Sequence, residues 1–152
     1  MSAALTVDIA GPADDALRGT LLLIGAEAEP LARVRRLQAS HAGLLLLQAD
    51  GGIEGVRLAQ TERPDLVLLD MCLADISGLD VMRRLNGEID RRGLRVSILT
   101  TEPGSMETLR AMSLGAYEYW VKPLAPAVVE AGLRRALGGL RADPAHTLQR
   151  GR

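Results

Sequence analysis

The sequence predicts one α/β domain in which a five-stranded parallel sheet carries helices on both faces. Three observations lead there. Five short runs rich in Leu, Val and Ile recur along the chain, as strands buried on both faces require. Amphipathic stretches separate them, with apolar residues three or four apart. The chain has 152 residues, 47% of them hydrophobic and 24% charged, which suits a single globular domain with modest tails and excludes disorder for its body.

The predicted strands are Leu21 to Gly25, Leu44 to Gln48, Leu66 to Asp70, Val96 to Thr100 and Tyr117 to Val121. Helices are expected at Pro30 to Ala39, Gly52 to Glu62, Gly78 to Ile89, Gly104 to Ser113 and Pro126 to Leu140. Within them Val56 and Ala59, then Leu79, Met82 and Leu85, then Val129, Leu133 and Leu137 recur at helical spacing. Residues 1 to 19 and 141 to 152 are polar and aperiodic, so both are expected to be flexible tails, the second a tail or the start of a linker. The domain then runs from residue 20 to residue 140. No internal repeat and no low-complexity tract interrupts it.

Charge and cysteine usage exclude several classes of function. A net charge of -1 and a pI near 6.1 leave no broad cationic surface, which argues against this segment gripping nucleic acid. The single cysteine, Cys72, allows neither an internal disulfide nor a thiolate metal cage. No apolar stretch reaches the ~20 residues that span a bilayer, and residues 1 to 19 lack a secretory pattern. A cytoplasmic protein without membrane contact is expected. Lys122 is the one lysine in a chain of 18 basic residues, so its place after a strand stands out.

In an open parallel sheet, chemistry collects at the carboxyl edge of the strands. Asp70 ends the third predicted strand, Thr100 ends the fourth, and Lys122 follows the fifth. An acid, a hydroxyl and an ammonium would share one rim. That set suits a reversible phosphoryl acceptor, because phosphoryl transfer needs a positioned nucleophile and charge neutralisation. Taken singly, each residue has a plainer reading: a loop acid, a strand-end hydroxyl, a solvated lysine.

Four segments in order give the rim a family likeness: Pro64-Asp65-Leu66-Val67-Leu68-Leu69-Asp70, then Gly78-Leu79-Asp80-Val81, then Ser97-Ile98-Leu99-Thr100, and Gly115 to Leu124 around Lys122-Pro123. With them the chain resembles the receiver domain of bacterial two-component response regulators from about Thr20 to Leu140. The resemblance implies a flavodoxin-like, doubly wound sheet in the order 2-1-3-4-5. It implies that Asp70 takes a phosphoryl group from a histidine kinase, a phosphotransfer protein or a small acyl phosphate. Thr100 and Lys122 would bind the phosphoryl oxygens. A swing of Thr100 and Tyr119 would reshape the face of the fourth helix, fifth strand and fifth helix. Arg110, Tyr119 and Trp120 would lie on or beside that face, ready for a downstream protein or a second protomer. Trp120 reads equally as a core filler or an exposed anchor.

The resemblance also implies a Mg site built from two acids after the first strand, the acceptor Asp70 and the backbone carbonyl of Cys72. Here that turn reads Gly25-Ala26-Glu27-Ala28-Glu29-Pro30. A gapless count from Asp70 puts Gly25 and Ala26 at the acid pair, whereas anchoring on Pro30 puts Glu27 there. At most one acid is kept, so Mg binding is expected to be weak or lost. Glu27 and Glu29 read equally well as acids beside a helix N-terminus. Thr101 replaces a usually small residue and should crowd Asp70, while Ala74 and Ser77 read as tolerated loop changes. The depleted pair raises an alternative, a degenerate receiver that keeps the fold as an interaction or dimerisation module. A third reading, an unrelated flavodoxin-like enzyme or nucleotide binder, lacks a Gly-rich phosphate loop, and His41 and His146 lie on a helix end and a tail.

Overall fold

A computed structural model describes residues 16 to 138. The predicted tails lie largely outside them, at 1 to 15 and 139 to 152. The strands are β1 (Arg18–Ile24), β2 (Gly43–Ala49), β3 (Leu66–Asp70), β4 (Arg95–Thr100) and β5 (Glu118–Val121). The helices are α1 (Ala28–Ser40), α2 (Gly52–Glu62), α3 (Gly78–Arg84), α4 (Asn86–Arg92), α5 (Met106–Ser113) and α6 (Pro126–Leu137). All strand pairs are parallel, in the order β2-β1-β3-β4-β5. The order reverses between β1 and β3, which opens a crevice outside their carboxyl ends.

Alternation along the strands divides the core in two. Leu22, Ile24, Val67, Leu69, Val96 and Ile98 face one side with Met82 and Leu85. Leu21, Leu23, Leu66, Leu68 and Leu99 face the other with Trp120, Val129 and Leu133. Each fully buried Leu or Ile contributes ~1.5–3 kcal/mol relative to exposure. All five residues of β3 are buried, including Asp70 at its tip, so the sheet's centre strand fixes Asp70.

Several elements differ from expectation. The helix expected at Gly78 to Ile89 is two helices, α3 and α4, separated at Leu85, whose φ of -93° and ψ of 4° leave helical values. Asn86 and Gly87 follow, both weak helix formers, and a break there is their natural consequence. Strand β1 starts at Arg18, ahead of the expected Leu21, because Leu17 is already buried and Arg18 and Gly19 pair with Gly43 and Leu44. Helix α5 starts late, at Met106, where Ser105 accepts a hydrogen bond from the Thr108 N–H.

Trp120 decides between its two readings in favour of the core. Its side chain is 2% exposed, a Cβ at Gly132 would overlap the indole, and Nε1 donates to Glu118 Oε2 at 2.8 Å. It therefore offers no anchor to a partner. Tyr119 points the opposite way and is 44% exposed, and Arg110 is exposed as well. Among the described residues no helix is long and apolar enough to cross a membrane.

Candidate functional site

Asp70, Thr100 and Lys122 line one cavity of about 410 Å³ at the carboxyl edge of the sheet. Asp70 is 1% exposed, and its Oδ1 accepts two hydrogen bonds, from the Cys72 N–H at 2.9 Å and from Lys122 Nζ at 2.8 Å. Among the described residues no hydrogen bond reaches Oδ2. A buried carboxylate without a partner would be costly; here the ammonium supplies the partner through Oδ1.

Lys122 is held from both ends. Its backbone N–H donates to the Thr100 carbonyl at 2.8 Å, which extends the pairing of β4 and β5, and the Lys122–Pro123 peptide is cis. Its Nζ also donates to Glu27 Oε1 at 2.9 Å, so the ammonium bridges two carboxylates. Burial works to lower the Lys122 pKa, but the hydrogen bonds and charges of Asp70 and Glu27 outweigh it and raise the ammonium above its ordinary value.

Thr100 belongs to a hydroxyl network that the sequence did not reveal. Its Oγ1 accepts from the Glu102 N–H at 3.0 Å and lies 3.1 Å from Thr108 Oγ1. Thr108 is 1% exposed and also meets the Glu102 carbonyl and Ser105 Oγ, each at 3.0 Å. The available signal was Ser105 three residues before Thr108, an N-cap pattern that turns a helix start toward the pocket. Thr101 and Cys72 line the cavity with exposed side chains.

The β1 side of the cavity is different. Register pairs Ile24 with Leu69, so Gly25 is the residue beside Asp70. Its φ is +150°, and a Cβ there would lie 2.8 Å from Asp70 Cβ. A side chain at position 25 is excluded by both backbone and space. Ala26 is exposed. Glu27 holds the N-cap position of α1 without capping it, and its carboxylate goes to Lys122. Glu29, in the first turn, accepts the Leu124 N–H at 3.2 Å and Arg33 Nε at 3.3 Å. Both acids of this turn are thus taken by protein groups, mostly of the segment after β5.

Asp75, in the loop between β3 and α3, was also missed. Its carboxylate accepts the N–H groups of Gly52 (2.8 Å), Ile53 (3.0 Å) and Ile76 (2.8 Å), capping α2 from a distant loop. These backbone hydrogen bonds lower its pKa to about 2. Nothing in the spacing of Asp75 and Gly52 announces a contact made only by the fold.

The open sheet with this strand order thus carries an acid, a hydroxyl and an ammonium at its carboxyl edge. A profile of the response regulator receiver domain matches residues 24–134. The chain belongs to that family. It is 37% identical over 98 residues to the probable transcriptional regulatory protein SilR of Salmonella typhimurium, which covers 64% of this chain and 42% of that protein. It is 35% identical over 98 residues to the transcriptional regulatory protein CusR of Escherichia coli K12, with the same coverage. The chain spans about half or less of the length of the curated relatives it matches. The solved chemotaxis response regulator CheY4 of Vibrio cholerae has the same fold, with a TM-score of 0.68 and 24% identity over 79% of this chain and 99% of that one.

Receiver domains generally bind Mg2+ at their acidic pocket, and the donor set here does not fit one. Among the described residues no group of three His, Cys, Asp or Glu could hold a metal ion. Glu27 and Asp70 both point their hydrogen-bonded oxygens at an ammonium, and Gly25 leaves no room for an acid. A hard dication needs several oxygen ligands together.

Proposed function

We propose that this chain is a two-component receiver switch that takes a phosphoryl group on Asp70 and signals through protein contacts. The observation that carries the reading is the Asp70 carboxylate, buried at the tip of β3 in the cavity lining, with Oδ1 fixed by Lys122 and Cys72 and, among the described residues, no hydrogen bond to Oδ2. In the transfer, an Asp70 oxygen forms a bond to phosphorus while the donor's bond to phosphorus breaks, and the leaving histidine nitrogen or acyl oxygen keeps the electron pair. Lys122 then pairs with a phosphoryl oxygen as a compact charge. Thr100 turns its hydroxyl from Thr108 to another oxygen, and Tyr119 moves in behind it. That local change biases the face of α5, β5 and α6 between two states.

The donor is a histidine kinase or a phosphotransfer protein in the cytoplasm, and the output is a downstream protein or second protomer met through Arg110 and Tyr119. The domain includes Arg18 to Leu137, the first strand to the last helix, and it acts as a switch rather than as an enzyme on a separate substrate. Its net charge of -1 supports contacts with protein rather than nucleic acid. The test is incubation with acetyl phosphate followed by intact mass. The reading expects one added phosphoryl group in the wild type and none in Asp70→Asn. No addition under any condition would refute it.

One observation favours a second reading, a receiver fold used as an interaction module without phosphorylation. It is the β1 turn, where Gly25 and Ala26 supply no acid. Under that reading Asp70→Asn leaves partner binding unchanged.

A further inference from the structure

We propose that this pocket works without a divalent metal, the Lys122 ammonium between Glu27 and Asp70 standing as its resident cation. The inference deepens the reading of Asp70 as acceptor and rests on three independent features of the chain.

The first is geometric. Lys122 Nζ lies 2.8 Å from Asp70 Oδ1 and 2.9 Å from Glu27 Oε1, so one cation already joins the acceptor to the acid kept on the β1 side. The lysine side chain is 8% exposed and the aspartate side chain 1%. A buried ammonium carboxylate pair with matched hydrogen bonds resists displacement, because removing either partner strands a charge.

The second is steric. At Gly25 the backbone has a φ that side chains rarely adopt, and Asp70 Cβ fills the space where a Cβ would go. The lost acid is thus built into the local backbone: restoring it would push β3's tip away. The third is the fate of Glu29, whose carboxylate binds the Leu124 N–H and Arg33. Together Glu27 and Glu29 tie the start of α1 to Lys122 and Leu124 after β5. The turn that would hold a metal instead clasps the opposite side of the pocket.

Manganese titration followed by electron paramagnetic resonance tests this without any phosphoryl donor. The free Mn2+ signal should stay undiminished with the wild-type chain through the low-millimolar range, and melting should be the same in Mg2+ and EDTA. Lys122→Met, which leaves the Glu27 and Asp70 carboxylates facing each other without their cation, should gain Mn2+ binding. Mn2+ uptake by the wild type, lost in Asp70→Asn, would overturn the proposal, as would a folded Lys122→Met chain that still binds none. If Lys122→Met does not fold, the wild-type titration decides alone. Failure of the acceptor reading is separate: it shows as no phosphoryl addition at Asp70, whatever the metal result.

Discussion

The two sides of the pocket differ in what they carry. On the β3, β4 and β5 side, an acid, a hydroxyl and an ammonium stand ready, each fixed by backbone hydrogen bonds or ion pairs. On the β1 side, a glycine abuts Asp70, and the acids that follow are spent on Lys122 and Leu124. Asp70 and Cys72 are present at the β3 end, while the β1 turn adds no acid that is free of a protein partner. Under the proposal above, the difference makes acceptor and cation sites separable parts of one pocket.

The largest expected effect breaks the contrast at its centre. Lys122→Met leaves the Asp70 carboxylate buried and unpaired, and it should cost ~3–5 kcal/mol in urea unfolding. A loss well under ~1 kcal/mol would mean that the pair is open to solvent. Next comes Gly25→Ala, which forces a Cβ against Asp70 at a left-handed φ and should cost ~1–3 kcal/mol or more. If it is neutral, the β1 turn is looser than the structure has it.

Thr108→Val removes the hydroxyl facing Thr100 and leaves the Glu102 carbonyl with one partner fewer; a loss of ~1–2 kcal/mol is expected in thermal melts. Ser97→Ala works in the opposite direction. Ser97 is fully buried on β4 and its hydroxyl has no hydrogen-bond partner among the described residues, so the variant should be neutral or more stable by up to ~1 kcal/mol.

Acid titration probes the loop that follows Asp70. Asp75 has a folded pKa of about 2, below its ordinary value near 3.8. Its contribution is therefore complete above about pH 4 and fades as pH falls toward 2. Asp75→Asn should flatten the melting profile in that window, and an unchanged profile would show that the cap on α2 contributes nothing. The Lys122 pair has the reverse sign. Its raised pKa keeps it intact through neutral pH and loses it only as pH rises through the strongly alkaline range.

The strands were legible because a sheet buried on both faces writes continuous Leu, Val and Ile runs, and because the strand order fixes which ends share an edge. Asp70, Thr100 and Lys122 could be placed together from that alone. Tertiary contacts hid the rest. Glu27 reads as a helix-start acid, and only the cavity shows it on Lys122. Asp75 and Thr108 act across loops whose closeness no local pattern encodes. The break at Leu85 was masked because Leu79, Met82 and Leu85 keep helical spacing up to it, while the weak formers Asn86 and Gly87 follow. Trp120 had two readings until Gly132 gave it a slot.

Separability of the two halves is tested most directly by following phosphoryl addition to Asp70 from acetyl phosphate with Mg2+ and with EDTA in parallel. Equal extents in both, and none in Asp70→Asn, are the expected result. Addition that needs Mg2+ would contradict the account.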